Sequence, residues 1–585
     1  VGGLLVGQGK VYFDNFKVTV DGKDIKDLQP FERKIGAAEK DKEFDKGSGI
    51  TSITADKTQI DNLKSLGLIW GFIKYYHPNV AKGDFNMDYE LSRILPKVLS
   101  AETKKTRDDI LVAWINGLGS FTEGKEPKLD PTDIKLMPDV EWIKTSNFSN
   151  ELSALLIKIK TAERPSDHYY IDFYPGVGNP EFKNENSYSS MKYPDAGFRL
   201  LAIYRYWNMI QYFFPYKNLI EEDWKNVLAE FIPKFVNATN ETDYTLAALE
   251  IIGRIHDTHA NIYGDNKALN DYLGINYSAV EVTFIENKAV VTGYYNEPFG
   301  KATGLEVGDI ITSVNKKTVD DIVNEKLKYT PASNYPTALR NIARNLLRSN
   351  DSTINIEYLR NEKKENKNIK TFSKNEINLY SKIQSKDTCF KFINKDIAYI
   401  NHGALKTKYL SKIAKEMENT KGLIIDDRNY PSDFPIYDLS NYLMPESTPY
   451  VKFTSGSKET PGLFTFGKSI NVGKKNKSYY KGKVIILVNE ISQSSAEFHA
   501  MAYRVHPNAT VIGSTTAGAD GNVSKLNIPG GISSMISGIG VYYPDGKETQ
   551  RIGIVPNIEV KPTINSIKAG KDELMEKAIE IINKP

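Results

Sequence analysis

The sequence predicts a multidomain α/β protein, and three features of its pattern favour this fold class. The chain has 585 residues, enough for several domains of ordinary size. Apolar residues at helical spacing dominate residues 61–270. From about residue 390 onwards, short apolar runs alternate with helical segments, which is typical of a sheet covered by helices.

Composition narrows the classes of function. The 76 basic and 73 acidic residues leave a net charge of +3, which gives no reason to expect nucleic-acid binding. No apolar run approaches the length of a membrane span. Cys389 is the one cysteine, so an intramolecular disulfide and a cysteine-rich metal site are excluded. The motifs of zinc peptidases and phosphate-binding loops are absent, and we expect no metal or cofactor.

The N-terminal region predicts a short β segment followed by a linker. Residues 1–32 contain strand-like runs at Val11–Phe13 and Phe16–Val20 and a turn at Asp21-Gly22, as at the end of a β domain. Residues 33–60 are polar and are interpreted as a linker. Since the sequence starts without Met or a charged leader, we expect it to begin inside a larger precursor.

Residues 61–195 and 196–270 predict two related helical units. Trp70 and Trp207 stand at equivalent positions of two similar aromatic-rich helical segments, each of which ends at a proline, Pro78 or Pro215. The aromatic stripe in each copy is expected to be core rather than a ligand site.

Residues 278–365 change to short β-rich runs. They include Gly304-Leu-Glu-Val-Gly-Asp-Ile-Ile and then Val314-Asn315. This stretch resembles a PDZ domain, in which glycines permit tight turns around a small apolar core. Residues 385–585 predict an α/β core, with strands expected at 397–401, 423–426 and 484–489 and helices at 408–419, 435–443, 494–505 and 569–583.

The segment around Ser494 predicts either a nucleophile or a helix cap. The apolar run Val484–Val488 ends in a short turn, and a helix is expected to begin at Ser494. A serine at that point lies near free N–H groups at the positive end of the helix, which suits chemistry with an oxyanion product. However, Ser494 and Glu497 also have the spacing of a capping box.

The wider pattern resembles the tail-specific (C-terminal processing) serine peptidases. Three segments carry the resemblance in the family's order: Asp426-Asp-Arg-Asn429, Val488-Asn489 with Ser494-Ser-Ala-Glu497, and Gly553-Ile-Val-Pro-Asn-Ile-Glu-Val560. The resemblance implies a crotonase-like (ClpP/crotonase) core and Ser494 as nucleophile, with Ser492 and Ser495 as alternatives. It also implies a peptide or protein substrate, held through the PDZ-like domain, and an extracytoplasmic bacterial location (periplasmic, outer-membrane-anchored or secreted). Any signal peptide or lipid anchor would lie upstream of the given sequence.

The general base departs from the commonest pattern of that family. Many members use a lysine, but Ala519 occupies its position here and Lys525 is out of register. The branch typified by the tricorn protease core uses a histidine, and its motif resembles Thr258-His259-Ala260. His259 is therefore the predicted base, since imidazole accepts a proton near neutral pH. His256 and His499 are the alternatives, and a structural helix-end role for His259 stays open.

Further residues follow from the same resemblance. The branch orients its histidine with a glutamate, whose position is held here by Gln550, while Glu548 lies two residues earlier in an expected strand. Either side chain is a candidate. For the oxyanion hole we expect the backbone N–H of Ser495, together with that of Ser432 or Asp433, where the family has two glycines.

Two other functions compete with a serine endopeptidase. The missing lysine, the Gln550 substitution and the missing glycines favour a catalytically inactive peptide- or ligand-binding protein on the same fold. An acyl-CoA enzyme of the crotonase type is the second rival, although the serine motif and the PDZ-like segment argue against it.

Overall fold

The computed structural model describes residues 17–28, 35–125, 129–377, 379 and 388–584. The predicted strand at Val11–Phe13 lies outside these residues. Thr19–Val20 and Lys23–Asp24 form a two-stranded hairpin around the expected turn, in which Asp21 and Gly22 both have positive φ. No described helix combines the length and apolar character needed to cross a membrane.

The segment expected to be a linker is packed against the helical region. The N–H and hydroxyl of Ser48 both donate to the carboxylate of Asp195 at 2.7 Å, and Ile53 joins the largest apolar core. Asp195 also caps the helix Ala196–Phe213. The polar composition of this segment therefore reflects side-chain hydrogen bonds to the helices rather than a solvated connection.

The helical region is built around two long buried helices with equivalent surroundings. Trp70 donates its indole N–H to the carbonyl of Met87 (2.7 Å), and Trp207 makes the same contact with Trp224 (2.6 Å), in each case 17 residues further along. Each contact joins a long helix to the start of a 13-residue helix. The helices of this region are Ala37–Lys40, Lys57–Tyr76, Pro78–Ala81, Met87–Leu99, Lys104–Gly117, Trp142–Thr145, Asn150–Thr161, Ala196–Phe213, Trp224–Val236, Glu241–Gly253 and Lys267–Leu273, with short strands at Ile134–Leu136, Ile171–Phe173 and Pro180–Phe182.

An antiparallel β domain follows, and it extends beyond the predicted boundaries 278–365. It has its own apolar core, formed by residues such as Val291, Ile342 and Ile356. Its strands are Asn276–Ser278, Val280–Ile285, Lys288–Tyr294, Ile310–Val314, Lys317–Thr318, Arg348–Ser349, Thr353–Arg360 and Lys363–Ser373, and its helices are Glu297–Ala302, Val319–Leu327 and Tyr335–Asn345.

The C-terminal region is a mostly parallel sheet covered by helices, so the chain is a mixed α/β multidomain protein. Each central strand is a continuous apolar run, because both faces of the sheet are buried. In spatial order the strands are Phe390–Asn394, Ile397–Asn401, Gly422–Asp426, Lys483–Val488, Ala509–Gly513 and Ile558–Glu559, the first antiparallel and the others parallel. The helices are Leu410–Met417, Ile436–Leu443, Ser495–Tyr503, Ile564–Lys568 and Glu573–Asn583.

Two smaller β structures connect the C-terminal region to the helical region. The strand Ile134–Leu136 pairs with Phe464–Phe466, within a sheet that also contains Thr448–Gly456, Ile470–Val472 and Gly540–Tyr542. The hairpin formed by Val523–Ile528 and Ile532–Ser537 places Leu526, Ile528, Ile532 and Ile536 in the core of the helical region.

Candidate active site

Ser494 lies where the central strand Lys483–Val488 gives way to the helix Ser495–Tyr503. Its backbone has φ +55° and ψ −117°, which an L-residue rarely adopts. Such a conformation costs about 1–3 kcal/mol and is found mainly at functional sites. A strained turn between a strand and a helix also presents a serine hydroxyl in other hydrolases.

Two hydrogen bonds hold the strained backbone in place. The N–H of Ser494 donates to the carbonyl of Ala519 at 2.9 Å and lies 3.0 Å from Oε2 of Glu497. Ser494 and Glu497 have the arrangement of a capping box, but the Ser494 hydroxyl makes no regular capping hydrogen bond. The hydroxyl is partly exposed. Capping and a chemical role are therefore compatible at this residue.

Glu497 organises the loop 516–519 beside the serine. Besides Ser494, its buried carboxylate accepts hydrogen bonds from the N–H groups of Gly518 (2.8 Å) and Ala519 (3.1 Å) and from the Thr516 hydroxyl. Burial raises the pKa of the Glu497 carboxyl, while these hydrogen bonds act in the opposite direction. The positive end of the helix further favours a carboxylate at this position.

The neighbouring serines have different surroundings. Ser492 is fully buried, and its hydroxyl donates to the carbonyl of Asp427 at 2.7 Å and accepts from the N–H of Asn489 at 3.2 Å. These contacts make it part of the turn. Ser495 is the first residue of the helix, and its hydroxyl lies 3.4 Å from His499. Ser494 is therefore the one of the three that combines a strained backbone with partial exposure.

The predicted oxyanion donors differ in availability. The N–H of Ser495 has no acceptor among the described residues, as expected for the first turn of a helix. The N–H of Ser432, in contrast, donates to the carbonyl of His402 at 3.1 Å, so local structure occupies it. Asp433 has a free N–H within the described part of the chain, since only its carboxylate is engaged, with the amides of Thr407 and Phe434.

His259 reaches the same loop from the helical region. The hydroxyl of its neighbour Thr258 donates to the carbonyl of Ala517 at 2.9 Å, two residues before the carbonyl that holds Ser494. The loop 516–519 is thus hydrogen-bonded both to Ser494 and to the residue before His259. The imidazole Nδ1 lies 2.9 Å from the hydroxyl of Ser537, and the side chain is almost fully buried. Burial lowers the pKa of His259, and the charge of Asp257 partly opposes this effect.

Neither predicted orienting residue contacts the imidazole. Glu548 pairs with Lys135 at 2.6 Å, and Gln550 donates its amide N–H to Asp257 at 3.3 Å. The two side chains were expected on one face of a strand. The segment instead turns after Glu548, with φ +66° at Arg551 and a hydrogen bond from Gly553 N–H to the Thr549 carbonyl. The alternation of an extended strand therefore does not apply here.

The residues beside His259 include two that the sequence-based prediction missed. Asp257 is fully buried, and Ser537 bridges it to the imidazole. The short spacing between Asp257 and His259 was visible in the sequence, but the partner hairpin at Ser537 gave no signal.

The other basic candidates lie elsewhere. His256 has no hydrogen bond to the loop 516–519, and its pKa is lowered mainly by burial. His499 lies under the helix N-terminus, where its Nδ1 contacts the Ser495 carbonyl at 2.6 Å, and burial lowers its pKa to about 3. Lys525 is exposed on the hairpin, between buried neighbours.

Comparison with known proteins shows that the C-terminal region is similar to a peptidase family. Residues 396–560 match the model of peptidase family S41. This part of the chain is therefore similar to that peptidase family. The matched segment contains Ser494 and Gln550, whereas His259 and Asp257 come from the helical region outside it.

Individual relatives are distant. A 107-residue segment is 30% identical to an uncharacterized protein of Chlamydia muridarum (strain MoPn / Nigg), covering 18% of this chain and 18% of that protein. The structure of mature CPAF complexed with lactacystin is 14% identical, with a TM-score of 0.50 over 66% of this chain and 98% of that chain. A mutant of CPAF gives a TM-score of 0.52 at the same identity, over 66% of this chain and 96% of that chain. About two thirds of this chain therefore shares the fold of these structures.

Proposed function

We propose that this protein is a serine endopeptidase that hydrolyses peptide bonds of proteins or peptides, with Ser494 as nucleophile and His259 as general base. The observation that carries the proposal is the strained Ser494 at a helix N-terminus, bonded through the loop 516–519 to the segment that holds His259. The S41 match of the surrounding domain supports the same activity.

In the proposed reaction, His259 Nε2 accepts the Ser494 hydroxyl proton as the serine oxygen attacks the substrate carbonyl. The N–H of Ser495 stabilises the oxyanion, together with the N–H of Asp433. The proton then passes to the leaving amine as the C–N bond breaks. Water, deprotonated by His259, hydrolyses the acyl-enzyme and releases Ser494.

The domains have proposed roles in this reaction. The antiparallel β domain is proposed to be PDZ-like and to bind an extended peptide by strand addition. The parallel sheet is proposed to be a crotonase-like core that presents the serine. An extracytoplasmic location belongs to the same proposal.

A catalytically inactive peptide-binding protein is the second candidate, and two observations favour it. The N–H of Ser432 is occupied by the His402 carbonyl, and Gln550 carries no charge. In that function Ser494 would remain only a helix cap.

Labelling with a fluorophosphonate probe, followed by peptide mapping, separates the two functions. Labelling at Ser494 that is lost in both Ser494→Ala and His259→Ala supports the peptidase. Ser478→Ala removes an exposed serine and serves as the matched control, with labelling expected at the wild-type level. A folded wild-type protein that takes up no probe would favour the binding protein, and labelling at Ser495 would place the nucleophile one residue later.

A further inference from the structure

The imidazole of His259 faces a hydroxyl rather than a carboxylate. Its Nδ1 atom lies 2.9 Å from Ser537 Oγ but 3.7 Å from Asp257 Oδ1, which is too long for a hydrogen bond. Ser537 Oγ in turn lies 3.0 Å from the same Asp257 oxygen. The serine thus bridges the histidine to a fully buried carboxylate.

The donors around Asp257 fix the direction of these hydrogen bonds. Oδ2 accepts from the N–H of Ser537 at 2.6 Å, and Oδ1 accepts from the N–H of His259 at 3.0 Å and the amide of Gln550 at 3.3 Å. Since the carboxylate accepts at each contact, the Ser537 hydroxyl donates to it. The remaining lone pairs of Ser537 Oγ then accept a hydrogen bond from the N–H at Nδ1 of the imidazole.

This direction has a consequence for the tautomer of His259. A neutral imidazole carries its proton on one nitrogen, so a proton on Nδ1 leaves Nε2 as the acceptor. Nε2 has no hydrogen-bond partner among the described residues. It is the nitrogen that the proposed mechanism requires to be unprotonated.

We propose that Asp257, acting through Ser537, positions His259 and fixes its tautomer for proton transfer. This inference rests on the proposed peptidase function. During attack the Ser494 proton moves to Nε2, and the imidazolium keeps its Nδ1–H bond to Ser537. The negative charge of Asp257 stabilises this cation from behind the serine. The proton then passes from Nε2 to the leaving amine. His259, Ser537 and Asp257 therefore end this step with the same number of protons as they had at the start. Asp257 and Ser537 are positioning residues, because neither contacts the substrate.

The test compares labelling rates of variants with the same fluorophosphonate probe. Ser537→Ala should lower the second-order rate constant about 10- to 100-fold, and Asp257→Asn about 10²- to 10⁴-fold, the range of a lost general base. Ser534→Ala is the matched control, because Ser534 is equally buried on the same strand but bonds only weakly, to the Met535 carbonyl at 3.4 Å. Equal rates for Ser537→Ala and Ser534→Ala would overturn the inference.

Two readouts distinguish positioning from a merely structural role. Asp257 is the charged group that acts on the His259 ring, and its charge raises the His259 pKa. Asp257→Asn removes this charge and should lower the His259 pKa further. The acid limb of the profile of labelling rate against pH should therefore move to lower pH. In protein labelled with ¹⁵N-histidine, NMR should show the Nδ1–H tautomer of His259 in the wild type and its loss in Ser537→Ala. An Nε2–H tautomer in the wild type would overturn the inference. If the wild-type protein takes up no probe, the proposed function fails, and the tautomer still decides the positioning role.

Discussion

Residues from distant parts of the chain meet at the Ser494 turn. The loop 516–519 contacts Ser494 through Ala519, Glu497 through Gly518, and the His259 segment through Ala517. The hydrogen bonds involved are short and partly or fully buried, so each is costly to leave unmade. The position of Ser494, the proposed nucleophile, therefore depends on side chains that have no proposed role in bond breaking.

The pH dependence of labelling tests the state of His259. Because burial lowers its pKa below the ordinary value of about 6.5, the imidazole is neutral and able to accept a proton at pH 6.5. The labelling rate at Ser494 should therefore pass through its midpoint only below pH 6.5. A midpoint at or above pH 6.5 would contradict the buried environment.

Glu497→Gln tests the link between the helix and the loop. The substitution replaces one carboxylate oxygen by an NH₂ group. If this group takes the place of Oε2, it cannot accept from the Ser494 and Ala519 amides, and if it takes the place of Oε1, it cannot accept from the Gly518 amide. We expect the free energy of unfolding, from urea titration, to fall by about 1–3 kcal/mol and labelling to decrease strongly. Glu490→Gln is the control, since Glu490 accepts a side-chain hydrogen bond from Ser514 alone among the described residues and is partly exposed. If the two substitutions have similar effects, Glu497 does not link the helix to the loop 516–519 more strongly than an ordinary partly exposed glutamate would.

At the scale of elements, the helix Tyr335–Asn345 of the β domain lies against the turn before Ser494. Arg340 donates to the carbonyl of Glu490 at 2.7 Å and to the side chain of Gln493 at 3.1 Å. Asn334, just before the helix, donates to the carbonyls of Thr516 and Arg551. The β domain thus helps to hold both sides of the site.

Arg340→Ala should release the turn before Ser494. Burial lowers the pKa of Arg340 to about 9, because the charged guanidinium has lost water around it. Its hydrogen bonds to Glu490 and Gln493 replace part of that lost hydration. A hydrogen bond from a charged group contributes about 1.5–3 kcal/mol, and we expect the labelling rate to fall about tenfold or more. Arg344→Ala is the matched control, because Arg344 is exposed one turn further along the same helix. If both variants are labelled at the wild-type rate, the contact does not support the site.

The sequence was informative where the interacting residues are neighbours in the chain. The strand, turn and helix around Ser494 are contiguous, and the apolar pattern placed the helix within a few residues of its observed ends. The surroundings of His259 could not be predicted in this way, because Ser537 lies 280 residues beyond Asp257. Glu548 was misplaced for a different reason, since one local turn removed the alternation on which its prediction rested.

For the whole molecule, the hairpin from Val523 to Ser537 joins the catalytic and helical regions. Its apolar side chains enter the helical core, and its last residue contacts Asp257. Leu526→Ala should therefore lower the free energy of unfolding by about 2–5 kcal/mol, measured by urea titration, with both regions affected together. Lys525→Ala changes an exposed neighbour and should cost less than about 0.5 kcal/mol. Two separate transitions in the wild type would contradict this coupling.

The pairing of Ile134–Leu136 with Phe464–Phe466 affects how the chain can be synthesised or divided. During translation the first strand emerges long before its partner, so this sheet forms only after most of the polypeptide has left the ribosome. A fragment limited to residues 388–584 would lack that strand and expose the backbone and phenylalanines of an open sheet edge. Open edges of this kind recruit other chains. Expression of the S41 region alone should therefore give aggregates, whereas adding the upstream helical region should keep it dispersed.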